Sequence, residues 1–95
     1  IRWHQLGYKG KEEINCLRGM RFIDREAVQP DNEAIERYYD DIEQVYYVLE
    51  NRGILQSNGE KQEITEGDMV HIPMGMTYRI LNPYQEWLSY LIMAG

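Results

Sequence analysis

Cysteine is nearly absent from this 95-residue chain. The lone Cys16 excludes an internal disulfide and fits a reducing compartment, so a cytoplasmic location is expected. Long apolar runs are missing too. The longest, Val45–Leu49 and Leu88–Ala94, fall far short of the ~18–20 residues that a helix needs to span a bilayer. No charged-then-apolar leader pattern opens the sequence, and no membrane partner is expected. Positive charge is scarce: ten bases face sixteen acids, for a net charge of −6. No stretch forms the basic footprint that nucleic acids require, which removes nucleic acid as a partner. Acids concentrate in residues 31–50, where seven of them face one base. That block reads as a solvated face, or as one that favours a cationic ligand. Histidine occurs only at positions 4 and 71, too few for a histidine-rich metal centre.

What is present is strand chemistry. Hydrophobic residues make up 43% of the chain and aromatics 12%, enough for a packed interior. The length allows one core and one domain, and a chain this short gains from pairing with a second copy. Gln44–Leu49 is a β-branched and aromatic run. Arg52–Gln56 and Lys61–Thr65 flank Asn58-Gly59, a dipeptide that readily takes both positive-φ positions of a type I′ hairpin turn. Glu66-Gly67-Asp68 is a second turn. Met69–Ile72 is a strand stopped by Pro73, which has no N–H to give a ladder. Met76–Leu81 follows, Asn82-Pro83 turns the chain, and Trp87–Met93 is the last strand. Upstream, Leu17–Asp24 reads as a strand and Glu33–Tyr39 as a weaker one. A short helix competes over Asp31–Asp41, with Asn32 as a cap. Turns at regular short spacing predict an all-β sandwich or barrel.

The stretch from Gly67 to Asn82 carries a specific pattern: Gly67, five residues, Pro73-Met74-Gly75, two residues, Tyr78, three residues, Asn82. It resembles the second conserved motif of the cupin superfamily, with Tyr78 where the family has His. Gln44-Val45-Tyr46-Tyr47-Val48-Leu49-Glu50 resembles the end of the first cupin motif. There Gln44 stands for the family's Glu, and Asn51, with Gly53 close behind, stands for its Gly. The family's His-x-His falls on Tyr38 and Asp40 in one register and on Arg37 and Tyr39 in the other. The resemblance runs from about Pro30 to Met93. It implies an all-β fold: a cupin-type double-stranded β-helix, or jelly-roll barrel, of two antiparallel sheets. Residues 1–29 would add amino-terminal strands packed on the barrel. In metal-bearing members three His and one Glu hold Fe, Mn, Ni, Zn or Cu. Members include dioxygenases, decarboxylases, lyases, epimerases and isomerases, as well as sensors and storage proteins, so fold does not fix function.

Strand alternation assigns the lumen. If Gln44 points inward, Tyr46 and Val48 do too, while Val45, Tyr47 and Leu49 face out. Tyr78, Ile80 and Asn82 share a face by the same count. The expected pocket lining is therefore Tyr38, Asp40, Gln44, Tyr46, Tyr78 and Ile80, with Arg37 and Tyr39 replacing the first two in the other register. These groups suit a metal poorly. Gln offers a neutral carbonyl oxygen, and a phenol binds a metal well only after losing a proton near pH 10. No tight metal or other cofactor is expected; any metal would use Asp40, Gln44 and Tyr78.

His71 reads as structural or rim, and His4 as structural. Cys16 has no evident base to activate it. The adjacent pairs Glu12-Glu13 and Asp40-Asp41 point to opposite sides of a strand and are not glycosidase-like. Met69, Met74, Met76 and Met93 read as core filler. The expected function is binding of a small organic ligand in a tyrosine-lined barrel, by a homodimer, with no reaction assigned. The alternatives are a metal-dependent cupin enzyme with nonstandard ligands, and a structural domain with a filled barrel.

Overall fold

The computed structural model describes residues 3–5, 22–33, 37–39 and 41–95. The described residues form strands and turns without a helix. The strands are β1 (Trp3–Gln5), β2 (Phe22–Val28), β3 (Asn32–Glu33), β4 (Arg37–Tyr39), β5 (Gln44–Glu50), β6 (Arg52–Ser57), β7 (Glu60–Thr65), β8 (Met69–Ile72), β9 (Met76–Asn82) and β10 (Leu88–Ala94). From β5 onward each lies within a residue or so of its expected place. Residues 17–21 of the expected Leu17–Asp24 strand lie outside the described residues, and β2 runs on to Val28. The described parts of Asp31–Asp41 pair as β3 and β4 rather than forming a helix, because β9 offers them a ladder.

One sheet has the order β1-β8-β5-β10-β2 and the other β3-β9-β6-β7, with β4 also on β9. All pairings are antiparallel except β1 with β8. The inner faces meet in one cluster that includes Val28, Val48, Leu55, Ile64, Val70, Ile80 and Leu88. β5 lies between β8 and β10, which puts Tyr46 opposite both Val70 and Ile92. The expected inward set is in place: Gln44, Tyr46 and Val48 are buried. Of the outward set, Tyr47 and Leu49 are half-buried, whereas Val45 is buried on that face opposite His71.

The turns follow from local chemistry. Asn58 and Gly59 both have positive φ, 51° and 79°, as a type I′ hairpin requires. Asn51, at the place of the family's glycine, has φ 62°; asparagine tolerates this left-handed conformation, and its Nδ2 donates to the Trp87 carbonyl at 2.8 Å. Asn82 is fully buried and binds the β9–β10 loop to β2. Its Nδ2 donates to the carbonyls of Val28 (3.0 Å) and Glu86 (2.7 Å), and its Oδ1 accepts the Tyr84 N–H at 3.2 Å. The asparagine that closes the second motif is thus a structural clamp. No helix among the described residues is long and apolar enough to cross a membrane.

Candidate functional site

At the barrel end where β5 and β9 begin, the lumen changes from apolar to hydrogen-bonded. Tyr46 donates from its Oη to Tyr78 Oη at 3.0 Å, and Tyr78 donates in turn to Gln44 Oε1. The two rings meet edge to face with centroids 6.0 Å apart. Tyr46 also stacks on Tyr90 of β10 at 5.0 Å and 18°. Tyr90 Oη donates to Glu26 Oε2 at 3.0 Å, and Arg37 Nη2 donates to Glu26 Oε1 at 2.8 Å. Six side chains from β2, β4, β5, β9 and β10 therefore make one connected polar and aromatic group. Its inner members are closed to water, with Tyr46 and Tyr90 at 1% exposure and Tyr78 and Gln44 at 3%. Its outer members are not: the Arg37 and Glu26 side chains are 30% and 25% exposed.

Burial sets the electrostatics. It holds the Tyr46 phenol well above its ordinary value of 10.0, and the neighbouring Tyr78 pushes it further. Tyr90 is raised in the same direction, by burial first and by the Glu26 carboxylate beside it second. Arg37 opposes both shifts and does not reverse either. Both phenols are neutral hydrogen-bond donors.

The β4–β9 ladder fixes the register of the first motif. Arg37 lies opposite Tyr78, Tyr38 opposite Thr77, and Tyr39 opposite Met76. Directly opposed residues share a face, so Arg37 is the lumen-facing residue. Tyr38, expected in the pocket, instead points outward and is 58% exposed. Asp40 lies outside the described residues. Gln44, Tyr46 and Tyr78 are brought together as expected. Ile80 also faces inward, but within the apolar cluster beside Leu55 rather than on the polar group. Two contributors were missed. Tyr90 shares the alternation of Leu88 and Ile92, which is a usable sign. Glu26 lies beyond the end of the strand expected at Asp24.

The remaining candidates sort simply. His71 is 1% exposed and pairs with Glu43 at 2.9 Å on the outer face, in a structural role. Met76 packs against the core, but Met74 is 54% exposed, because the turn of Pro73 to Gly75 carries it out of the barrel. Cys16, Glu12 and Glu13 lie outside the described residues, Asp41 is exposed, and of His4 the structure describes the strand alone. At the far end of the barrel, a cleft of about 530 Å³ lies between the Asn51, Glu66 and Tyr84 turns. There Arg52 stacks over the Tyr84 ring at 3.9 Å.

A cupin domain profile matches residues 25–94. The chain belongs to the cupin family. An uncharacterized protein of Methanocaldococcus jannaschii is 31% identical to this cupin over 70 residues, 72% of the chain and 55% of that relative. The chain thus spans about half the length of the curated relative it matches. The crystal structure of a predicted oxalate decarboxylase from Thermotoga maritima is similar, with a TM-score of 0.73 and 23% identity over 79% of this chain and 65% of that one. A polyketide cyclase from Streptomyces resistomycificus has a TM-score of 0.69 and 22% identity over 76% and 51% of the two chains. At these identities the likeness shows the shared fold.

The motif resemblance matches the family's metal-ligand positions to Gln44 and Tyr78 here, and of the first-motif candidates Arg37 is the one opposite Tyr78. That set does not fit a divalent ion. The Gln44 carbonyl oxygen already accepts from Tyr78. Arg37 has no lone pair to give a metal and is already paired with Glu26 at 2.8 Å.

Proposed function

We propose that this cupin binds a small organic molecule at the Arg37 end of its lumen, without a tightly held metal. The observation that carries the reading is the register of Arg37 opposite Tyr78, with the Arg37–Glu26 ion pair beside the buried hydroxyl network. The hydroxyl network behind it supplies oriented neutral donors and acceptors. The half-buried Arg37 and Glu26 give that network a polar entrance. Such an arrangement suits sensing, sequestering or metal-free acid–base chemistry. The working form would be a cytoplasmic homodimer without nucleic-acid or membrane partners.

The test is a crystal structure and a native mass spectrum of protein purified without chelator, with elemental analysis of the same batch. Organic density beside Arg37 and substoichiometric metal are the expected results. Stoichiometric iron or manganese bound at Gln44 and Tyr78 would replace this reading with that of a metal-dependent enzyme.

A second reading, a structural or assembly domain with a filled barrel, is favoured by one observation: Tyr46, Tyr78 and Tyr90 are almost wholly buried against one another. It expects an unliganded barrel whose stability no small molecule changes.

A further inference from the structure

Three turns enclose the cleft at the far end of the barrel, and hydrogen bonds tie them to one another. The Glu66 N–H donates to the Asn51 carbonyl at 2.9 Å, and Asn51 Nδ2 donates to the Trp87 carbonyl at 2.8 Å. Asn82 Nδ2 holds the Glu86 carbonyl at 2.7 Å. Tyr84 is held at its N–H by Asn82 Oδ1, at its carbonyl by the Asp31 N–H, and at its hydroxyl by Glu63. The walls are therefore set before any ligand arrives, with about 530 Å³ between them. Sites for small molecules commonly measure ~300–1,000 Å³.

The lining carries both signs of charge. Arg52, Glu66 and Glu86 all border the cleft. Among the described residues these three form no ion pair, with one another or with a neighbour. Arg52 instead lies over the Tyr84 ring, with Cζ 3.9 Å from the centroid. That contact steadies the guanidinium. Its N–H fork, the part that recognises a carboxylate, makes no hydrogen bond among the described residues. One steadied cation and two carboxylates thus face the same space without neutralising each other.

We propose that this cleft is a second binding site and that it takes a basic amino acid. The ligand's carboxylate lies in the N–H fork of Arg52, and its two cationic groups pair with Glu66 and Glu86. One negative and two positive groups match a lining of one positive and two negative ones. A dicarboxylate would be opposed by the two glutamates, and a diamine would leave the Arg52 fork without an acceptor. The site is separate from the one at the Arg37 end of the lumen, and neither requires the other.

Calorimetric titration of L-lysine, L-norleucine and cadaverine against the folded protein tests this. Norleucine lacks the side-chain ammonium, and cadaverine lacks the carboxylate. Each should bind the wild type on the order of tenfold more weakly than lysine, the effect of one lost charge-assisted contact. Arg52→Gln should weaken lysine by a similar factor and leave cadaverine no weaker than before. Arg52→Lys keeps the charge without the fork, should also weaken lysine, and serves if the glutamine variant folds poorly. The double variant Glu66→Gln/Glu86→Gln should bring lysine down to the level of norleucine. Amide shifts in NMR spectra on adding lysine should cluster at Arg52, Glu66 and Gln85. Shifts confined to Arg37, Tyr46 and Tyr78 overturn the proposal and leave the lumen site standing. Equal affinity for lysine and cadaverine overturns it as well, as does lysine binding that all these variants leave unchanged. Absence of saturable lysine binding to the wild type removes this site without touching the other.

Discussion

Arg37 and Tyr78 face each other across the β4–β9 ladder, so a guanidinium and a phenol stand side by side where the motif resemblance would put imidazoles. The expected outcome is substoichiometric transition metal by elemental analysis of protein purified without chelator. Chelator treatment should leave the thermal midpoint unchanged. A midpoint that falls on chelation and returns with iron or manganese would contradict this.

Tyr78 is both acceptor for Tyr46 and donor to Gln44, so Tyr78→Phe breaks two buried hydrogen bonds at once. The Gln44 oxygen and the Tyr46 hydroxyl would be left without these partners in a dry site. A loss of about 1–3 kcal/mol is expected, read from urea unfolding curves. Tyr46→Phe should cost less, because Tyr78 keeps its own acceptor.

Gly53 packs so closely that a Cβ there would collide with the Leu88 side chain and press on the Leu81 carbonyl. Leu88 is fully buried and has little room to retreat. Gly53→Ala should destabilise the barrel by about 1–3 kcal/mol through overpacking. The paired variant Gly53→Ala/Leu88→Val, measured in the same unfolding assay, should recover part of that loss.

Alkaline pH should unfold the protein in a way that traces to Tyr46 and Tyr90. Both phenols are raised in the fold above their ordinary value of 10.0, so the unfolded chain releases these protons first. Their contribution to stability is intact below pH 10 and falls above it, by up to ~1.4 kcal/mol per pH unit for each group. Tyrosinate absorbance should show these two groups ionising together with unfolding. In Tyr46→Phe the alkaline fall in stability should be shallower.

A homodimer is the expected state of the 95-residue chain. So small a barrel buries a modest share of its surface, and β2, which ends its sheet among the described strands, carries Ile23 at 57% exposure. Light scattering at micromolar concentration should give about twice the 11.3 kDa chain mass. A monomer mass would overturn the expectation.

The strands from Gln44 onward were legible because each is bounded by its own turn chemistry: Asn58-Gly59, Gly67, Pro73, and Asn82-Pro83. Their period-2 alternation then placed Gln44, Tyr46 and Tyr78 on one face. The polar entrance was not legible. Whether Arg37 or Tyr38 faces inward depends on how β4 registers against β9, and a shift of one residue exchanges the two faces. Glu26 was hidden for a related reason. In Phe22–Val28 Glu26 stands on the lumen side and Asp24 is exposed, so hydrophobic alternation, the signal that found the other strands, is broken where the site begins. Met74 shows the opposite error: a methionine beside the motif reads as core until the turn directs it outward.

The position of β10 bears on how the molecule is made. It is the last of the described strands to be synthesised, yet it lies between β5 and β2, supplies Tyr90 and Ile92 to the lumen, and gives both neighbours their longest ladders. While Leu88–Ala94 is still inside the ribosome, β2 lacks its partner among the described strands and one edge of β5 is open. Until β10 emerges the nascent sheet is therefore sticky-edged, a stage at which strand edges invite aggregation and chaperones find their clients.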